Sequence, residues 1–300
     1  MAGARARAAY LGYRAGAEIA RVLPPALAHP LARVASRTWM ATSTHRRDQV
    51  ARNLERVAGA APLDSDAQRR AVDAVFDYYA RYWYELFRLP YEDLDQLEDR
   101  VDCEGFEHLE AAARHHRGMV LALPHLGNWD LAGAWLARRG YRVTAVAEPV
   151  DPPELFDWFV ATRAKIGIEA VPLGPDAGSV VLRHLREERV VCLVCDRDIT
   201  GDGVEVTFFG ERTHLPGGPA TLALRTGAPL LPVGLSFLPG ARHRIRILPP
   251  LPTDRQGRLR DDVTRVTQQL AGVFEDLIGA TPEQWLMMQP NWPSDTRDER

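Results

Sequence analysis

The sequence predicts an α/β fold: a mainly parallel or mixed central sheet flanked by helices, with an N-terminal helical region ahead of it. Three observations lead there. Beyond residue 100, short apolar runs alternate with amphipathic segments of helical length, the pattern of strands joined by crossover helices. Before residue 100 the apolar residues recur at helical spacing instead. The 300 residues are 46% hydrophobic and 26% charged, enough for a sizeable core and outside the disordered, collagen-like and disulfide-scaffold classes.

Taken in chain order, residues 8–23 project Arg7, Arg14, Glu18 and Arg21 onto one narrow stripe, with Tyr10, Tyr13, Ile19, Leu23 and alanines around the rest. Pro24-Pro25 ends this helix. A wide apolar face beside a basic stripe suits the headgroup plane of an anionic bilayer, or equally a core of the protein's own. More helix is expected over 30–58 and over 66–88, where Ala71, Val75, Tyr78, Tyr79, Tyr82 and Leu86 form an aromatic stripe of core type. Strands are expected at 119–123, 143–147, 168–171, 190–195, 230–237 and 245–248. Helices are expected at 129–139, 153–165, 177–188, 218–226 and 260–278. These boundaries divide the chain into a membrane-apposed helical region (1–100), an α/β core (101–290) and a polar C-terminal tail (291–300).

Charge and cysteine narrow the class. Lys165 is the only lysine among 37 basic residues, and the net charge is −3, which argues against a dedicated nucleic-acid binder. Residues 1–56 carry ten arginines against Glu18, Asp48 and Glu55, a local positive excess that matters at a membrane surface. No run approaches the roughly 18 apolar residues of a spanning helix, and the early arginines interrupt any signal-peptide core. Three cysteines at unrelated spacings suggest a reduced, cytosolic-side protein without a disulfide framework.

In an open α/β sheet, functional residues gather at the carboxyl ends of strands, and three such ends stand out. The first is Pro124-His125-Leu126-Gly127-Asn128-Trp129-Asp130. Gly127 supplies a turn, and Asn128 can cap the next helix. His125 then sits near free N–H groups of a helix start, which favour developing negative charge. The second is Cys195-Asp196-Arg197-Asp198 after the apolar run from Val190, where a carboxylate can orient a histidine base, or merely form a solvated turn or an Asp–Arg pair. Cys192 and Cys195, three apart on a strand, point to opposite faces and suit neither a metal nor a disulfide. The third is Phe208-Phe209-Gly210 and then Leu215 to Ala220, leading into a helix with Arg225. Its glycines and proline allow backbone N–H groups to approach an anion, with Arg225 adding a bidentate contact. The motifs of serine hydrolases, P-loop enzymes, dinucleotide enzymes and zincins are missing from the sequence.

Together, His125 to Asp130, Asp196 to Asp198 with Gly203 to Val206 and Phe208 to Gly210, Pro216 to Ala220 with Thr226 to Ala228, and the closing Pro282 to Trp285 resemble one family. It is the bacterial lysophospholipid and lipid A biosynthesis acyltransferases, and within it the phosphatidylinositol mannoside acyltransferases of actinobacteria. The resemblance covers most of the chain. It implies transfer of a long acyl chain, palmitoyl for this branch, from acyl-CoA to a mannose 6-hydroxyl of a glycolipid at the cytosolic face of the inner membrane. It implies His125 as base, Asp196 as the acid paired with it, and Asp130 as the residue holding the loop. Glu148, Arg163, Asn128, Arg197, Asp198 and Arg225 match polar positions around the acceptor or the CoA phosphates. Acyl-CoA is then a substrate, with neither cofactor nor metal required.

Elementary chemistry agrees, since a sugar hydroxyl attacking a thioester needs a base and an oxyanion site, and an imidazole titrating ordinarily near about 6.5 suits the first task. Leu126, Trp129, Trp135, Phe156, Phe208 and Phe209 are candidate walls of an acyl groove. Acylation of a lipid A precursor or lysophospholipid, hydrolysis of a thioester by the same His–Asp pair, and membrane or RNA binding without catalysis remain the alternatives. Oligomeric state is open, and so is which of Asp196, Asp198 and Asp130 pairs directly with His125.

Overall fold

The computed structural model describes residues 2–59 and 64–295. Four long helices come first, α1 (Ala2–Val22), α2 (Pro25–Thr42), α3 (Thr44–Ala58) and α4 (Ser65–Arg88), followed by the short α5 (Leu97–Arg100). Strands and helices then alternate as β1 (Val101–Glu104), α6 (Phe106–Ala113), β2 (Met119–Leu123), α7 (Trp129–Arg138), β3 (Val143–Ala147), α8 (Pro153–Lys165), β4 (Ile168–Pro172), α9 (Ala177–Arg186) and β5 (Val190–Val194). A hairpin of β6 (Val204–Phe208) and β7 (Glu211–Leu215) precedes α10 (Gly218–Thr226), β8 (Leu230–Phe237), β9 (His243–Ile247) and α11 (Leu259–Ala280).

Among the described residues, seven strands form one sheet in the order β1, β9, β8, β2, β5, β3, β4. Every neighbouring pair is parallel except β8 and β9, so the sheet is mixed and mostly parallel, as the run pattern predicts. Period-two alternation divides its residues between two cores. Val120, Ala122 and Val191 pack under α10 and α11, whereas Met119, Leu121, Leu123 and Val190 pack under α6 and α7.

The structure departs from the sequence reading at several places, among them the helices α5 and α6, which were not expected. The expected helix over 30–58 is two helices, α2 starting earlier with Pro25 in its first turn, and a break at Ser43 with φ −114°. The Thr42 hydroxyl hydrogen-bonds back to the carbonyls of Thr38 and Trp39, competing with helix continuation there. β1 was not expected because Val-Asp-Cys-Glu shows too little apolar pattern, and pairing with β9 supplies what local sequence does not. The β6–β7 hairpin was likewise missed, and Phe209-Gly210 makes its turn with φ +50° and +75°. Finally, the chain just beyond residue 290 is packed rather than tail-like: Asn291, Trp292 and Asp295 are buried. Residues 296–300 of the expected tail lie outside the described residues.

The N-terminal helices pack on the core through α4. Tyr13 of α1 meets Trp83 and Phe159 at ring-centroid distances of 5.2 and 5.5 Å, and Ala17 and Ala20 are buried with them. The opposite side of α1 and the adjoining α2 leave Leu11, Ile19, Val22, Leu27, Leu31 and Val34 exposed. Thus α1 serves the core on one face and keeps an apolar face outward. No described helix is long and apolar enough to cross a membrane.

Trp292 stacks on Phe208 at 5.8 Å, and its indole N–H donates to the Phe208 carbonyl at 3.1 Å. Trp292→Ala is therefore expected to cost about 3–5 kcal/mol of stability, measured as a lowered denaturant midpoint with unchanged m. A variant as stable as the parent would contradict this packing role.

Candidate active site

The register of β2 on β5 builds the site. Leu123 lies opposite Val194, so two residues further along each strand His125 arrives opposite Asp196. The His125 Nδ1 lies 2.5 Å from Asp196 Oδ1, and the His125 backbone N–H donates to Oδ2 at 2.9 Å. A carboxylate only accepts, so Nδ1 carries a ring proton toward it, and in the neutral ring Nε2 is the nitrogen with the lone pair. Asp196 is fully buried, while the His125 side chain is 25% exposed. The acid is inside and the imidazole opens outward.

The chain turns after His125 at Gly127, φ +64°. A Cβ there would lie 2.8 Å from the Leu235 carbonyl, so both the conformation and the close approach require glycine. Asn128 then caps α7, its side chain accepting from the Leu131 N–H at 3.0 Å and donating to Glu85 at 2.8 Å. Asp130, in the first turn of α7, faces away from Asp196. It accepts from Tyr82 at 2.7 Å and from two nitrogens of Arg163 at 2.7 and 3.2 Å. Asp130 and Arg163 thus form a buried bidentate pair beside the imidazole.

An apolar cavity opens between the sheet and α7 and α8. His125, Asp130, Glu148 and Arg163 are the polar residues facing it, among walls that include Leu123, Ala145, Trp129 and Phe156. Trp129 and Phe156 are two of the expected groove walls. Leu126, Trp135 and Phe208 are instead buried core, and Phe209 packs 6.0 Å from Trp285. Glu148 pairs with Arg197 at 2.6 Å at the rim. Asp198 turns away from both, accepting from the N–H groups of Gly201 and Gly203 at 3.0 and 2.9 Å. Arg225 ends α10 and is exposed on the other side of the sheet. The structure therefore gathers His125, Asp196, Asp130 and Arg163, with Asn128 behind them, and sets Glu148, Arg197, Asp198 and Arg225 further out.

A model of the bacterial lipid A biosynthesis acyltransferases matches residues 5–294. The chain belongs to that acyltransferase family. It is 41% identical over 293 residues to a phosphatidylinositol mannoside acyltransferase of Mycolicibacterium smegmatis, covering 97% of this chain and 93% of that one. A protein of the same name from Mycobacterium tuberculosis is 41% identical over 259 residues, 84% of this chain and 79% of that one. A lipid A biosynthesis acyltransferase of Haemophilus influenzae is 23% identical over 229 residues, 75% and 70% of the two chains.

In this acyltransferase the carboxylates are tuned by what surrounds them. Burial alone raises the Asp196 carboxyl, but the charge and hydrogen bonds of His125 and the Trp285 indole, 2.7 Å from Oδ2, carry it below its ordinary range. The thiols go the other way. Burial pushes Cys192 to about 12 and Cys195 well above its ordinary value, leaving both protonated and unreactive. Among the described residues, no group of three or more His, Cys, Asp or Glu side chains is placed to hold a metal ion.

Sequence reasoning missed the supports. Trp285 stood out only within the closing motif, yet its segment runs beside the histidine loop: the Leu286 N–H donates to the His125 carbonyl at 2.7 Å, and the Gly127 N–H donates to the Gln284 carbonyl at 3.2 Å. The Asn291 amide donates to the Asp196 carbonyl at 2.8 Å. Glu85 was missed altogether, although an acid within the apolar stretch Tyr82 to Phe87 is a signal in itself.

Glu85 gives a pH prediction. Burial raises its carboxyl, but His243, 3.2 Å away, and Arg81 outweigh burial and bring it from 4.5 down to about 2. A depressed folded value stabilises the native state above the unfolded pKa and loses that contribution as pH falls through the folded one. Stability to urea should therefore drop between pH 4.5 and about 2. In Glu85→Gln that drop should shrink, with stability at pH 7 lower by on the order of 3 kcal/mol. Parallel stability profiles for the two proteins would refute the assignment.

Proposed function

We propose that the protein moves a long acyl chain, palmitoyl in the first instance, from acyl-CoA to the mannose 6-hydroxyl of a phosphatidylinositol mannoside. The observation that carries the chemistry is the His125–Asp196 pair opening onto an apolar cavity. The names of the mycobacterial relatives support the acceptor. His125 Nε2 takes the hydroxyl proton as the oxygen attacks the thioester carbonyl. The tetrahedral intermediate collapses with loss of the CoA sulfur, which receives that proton from the imidazolium. Asp196 holds the ring and stabilises its charged form. The apolar cavity takes the acyl chain, with Asp130 and Arg163 fixing the wall next to the imidazole. Direct attack is preferred over an acyl-enzyme because both nearby thiols are buried and protonated.

The same reading puts the enzyme on the cytosolic face of the inner membrane. The exposed Leu11, Ile19, Val22, Leu27, Leu31 and Val34, with the arginine-rich charge of this region, suit an anionic interface.

Incubation of purified protein with palmitoyl-CoA and phosphatidylinositol mannosides, lysophospholipids or lipid A precursors, read by mass spectrometry, tests the reaction. His125→Ala and Asp196→Ala should stay folded and lose transfer by several orders of magnitude, whereas Cys195→Ala should retain most of it. A stoichiometric acyl adduct on Cys195 would replace direct attack with nucleophilic catalysis. Substituting Leu11, Ile19 and Val22 with serine should weaken sedimentation with anionic liposomes without changing the thermal midpoint. Undiminished sedimentation would remove the outward face of α1 from the membrane contact.

A further inference from the structure

A second cavity lies under the opposite face of the sheet. Strand alternation gives the sidedness: Cys192 of β5 lines only the first cavity, whereas Leu193 and Cys195 line only the second. Its other walls come from α9 and α10, with Val181, Leu182 and Leu222 making it apolar. His125 lines only the first cavity, so this one is no part of the acid–base apparatus. Yet the two meet. Val146, Glu148, Val194 and Ile199 line both, and they belong to the carboxyl ends of β3 and β5 and the loop beyond, the edge on which the His125–Asp196 pair sits.

Cations stand over this apolar space. Arg197 and Arg225 both line it. Glu148 takes one nitrogen of Arg197 at 2.6 Å, but the Nε–H of Arg197 is buried without a hydrogen-bond partner. A buried donor on a guanidinium is costly to leave unmet, and a phosphate oxygen is the acceptor such a fork matches best. Joining a lipid donor to a lipid acceptor requires room for two apolar chains whose reactive ends converge. Two cavities on opposite sheet faces, sharing one rim, provide that room.

We propose that the second cavity holds an acyl chain of the acceptor phospholipid, with Arg197 and Arg225 receiving its phosphodiester. This rests on the reading that the enzyme acylates a phosphatidylinositol-based lipid, and it adds where that lipid is held. The competing occupant is the donor: the pantetheine arm and phosphates of acyl-CoA share the chemistry of a thin apolar stem with anions.

Photo-crosslinking separates them without relying on turnover. The full-length protein is irradiated with a phosphatidylinositol carrying a diazirine in one acyl chain, with a diazirine palmitoyl-CoA, or with the matching diazirine diacylglycerol that lacks phosphate. Labelled peptides are mapped by mass spectrometry. The phosphatidylinositol probe should label α9 and α10, the diacylglycerol should label them at least tenfold less, and palmitoyl-CoA should label α7 and α8. In Leu182→Trp or Leu222→Trp, each filling the cavity, phosphatidylinositol labelling of α9 and α10 should fall at least tenfold while palmitoyl-CoA labelling of α7 and α8 persists. Palmitoyl-CoA labelling on α9 and α10 would assign the cavity to the donor. Phosphatidylinositol labelling confined to the first cavity or to α1 and α2, or none at all, would overturn the proposal, and equal labelling by diacylglycerol would overturn the phosphate role. If phosphatidylinositol labels α9 and α10 in a protein that acylates no phosphatidylinositol mannoside, the proposed reaction fails and the lipid site stands.

Discussion

A carboxylate with no exposure to water organises this active site. Taking a charged carboxylate from water is costly unless hydrogen bonds and an opposite charge replace its hydration. Asp196 obtains that replacement from three directions: the His125 ring, the His125 backbone and the Trp285 indole. These partners come from two other stretches of chain, so one buried charge ties the loop after β2, the end of β5 and the segment after α11 together. The imidazole, held at Nδ1 by the carboxylate, is restrained in rotation and lines the apolar cavity.

A second anchor joins the N-terminal helices to the same loop. From α4, Tyr82 reaches Asp130 and Glu85 reaches Asn128. Arg163 of α8 closes the Asp130 end. Burial raises the Tyr82 hydroxyl far above its ordinary range, so it remains a hydrogen-bond donor. The helical region therefore holds the histidine loop on its inner side, while its outer side presents apolar residues. The contacts to the histidine loop and the exposed apolar residues thus lie on opposite faces of one helical layer.

The sheet adds the remaining geometry. A mostly parallel sheet covered on both sides brings its strand ends to one edge, and here that edge carries the His125–Asp196 pair and the rim shared by two apolar cavities. The two cavities share that rim, and of the two only the first reaches His125.

Much of this was legible locally. The buried strands appear as apolar runs because both faces of a central parallel strand are covered, and Gly127 and Asn128 announce a turn and a cap through their own backbone chemistry. β1 was not legible, since Val-Asp-Cys-Glu owes its strand state to its partner, whereas Val-Glu-Val-Thr-Phe of the hairpin does alternate with period two and its signal was passed over. His125 and Asp196 each drew attention at a strand end, but a sequence does not say which strands are neighbours. Glu85 and Trp285 show the same limit from the other side, since an acid in a helix and an indole near the C-terminus acquire meaning only from the groups they meet. The sequence by itself determined the fold class and the residues able to do chemistry, because periodicity and side-chain type are local properties. Only the tertiary structure, by laying β5 in register beside β2, decided that Asp196 and not Asp130 faces the histidine, because that choice depends on contacts between residues 71 positions apart.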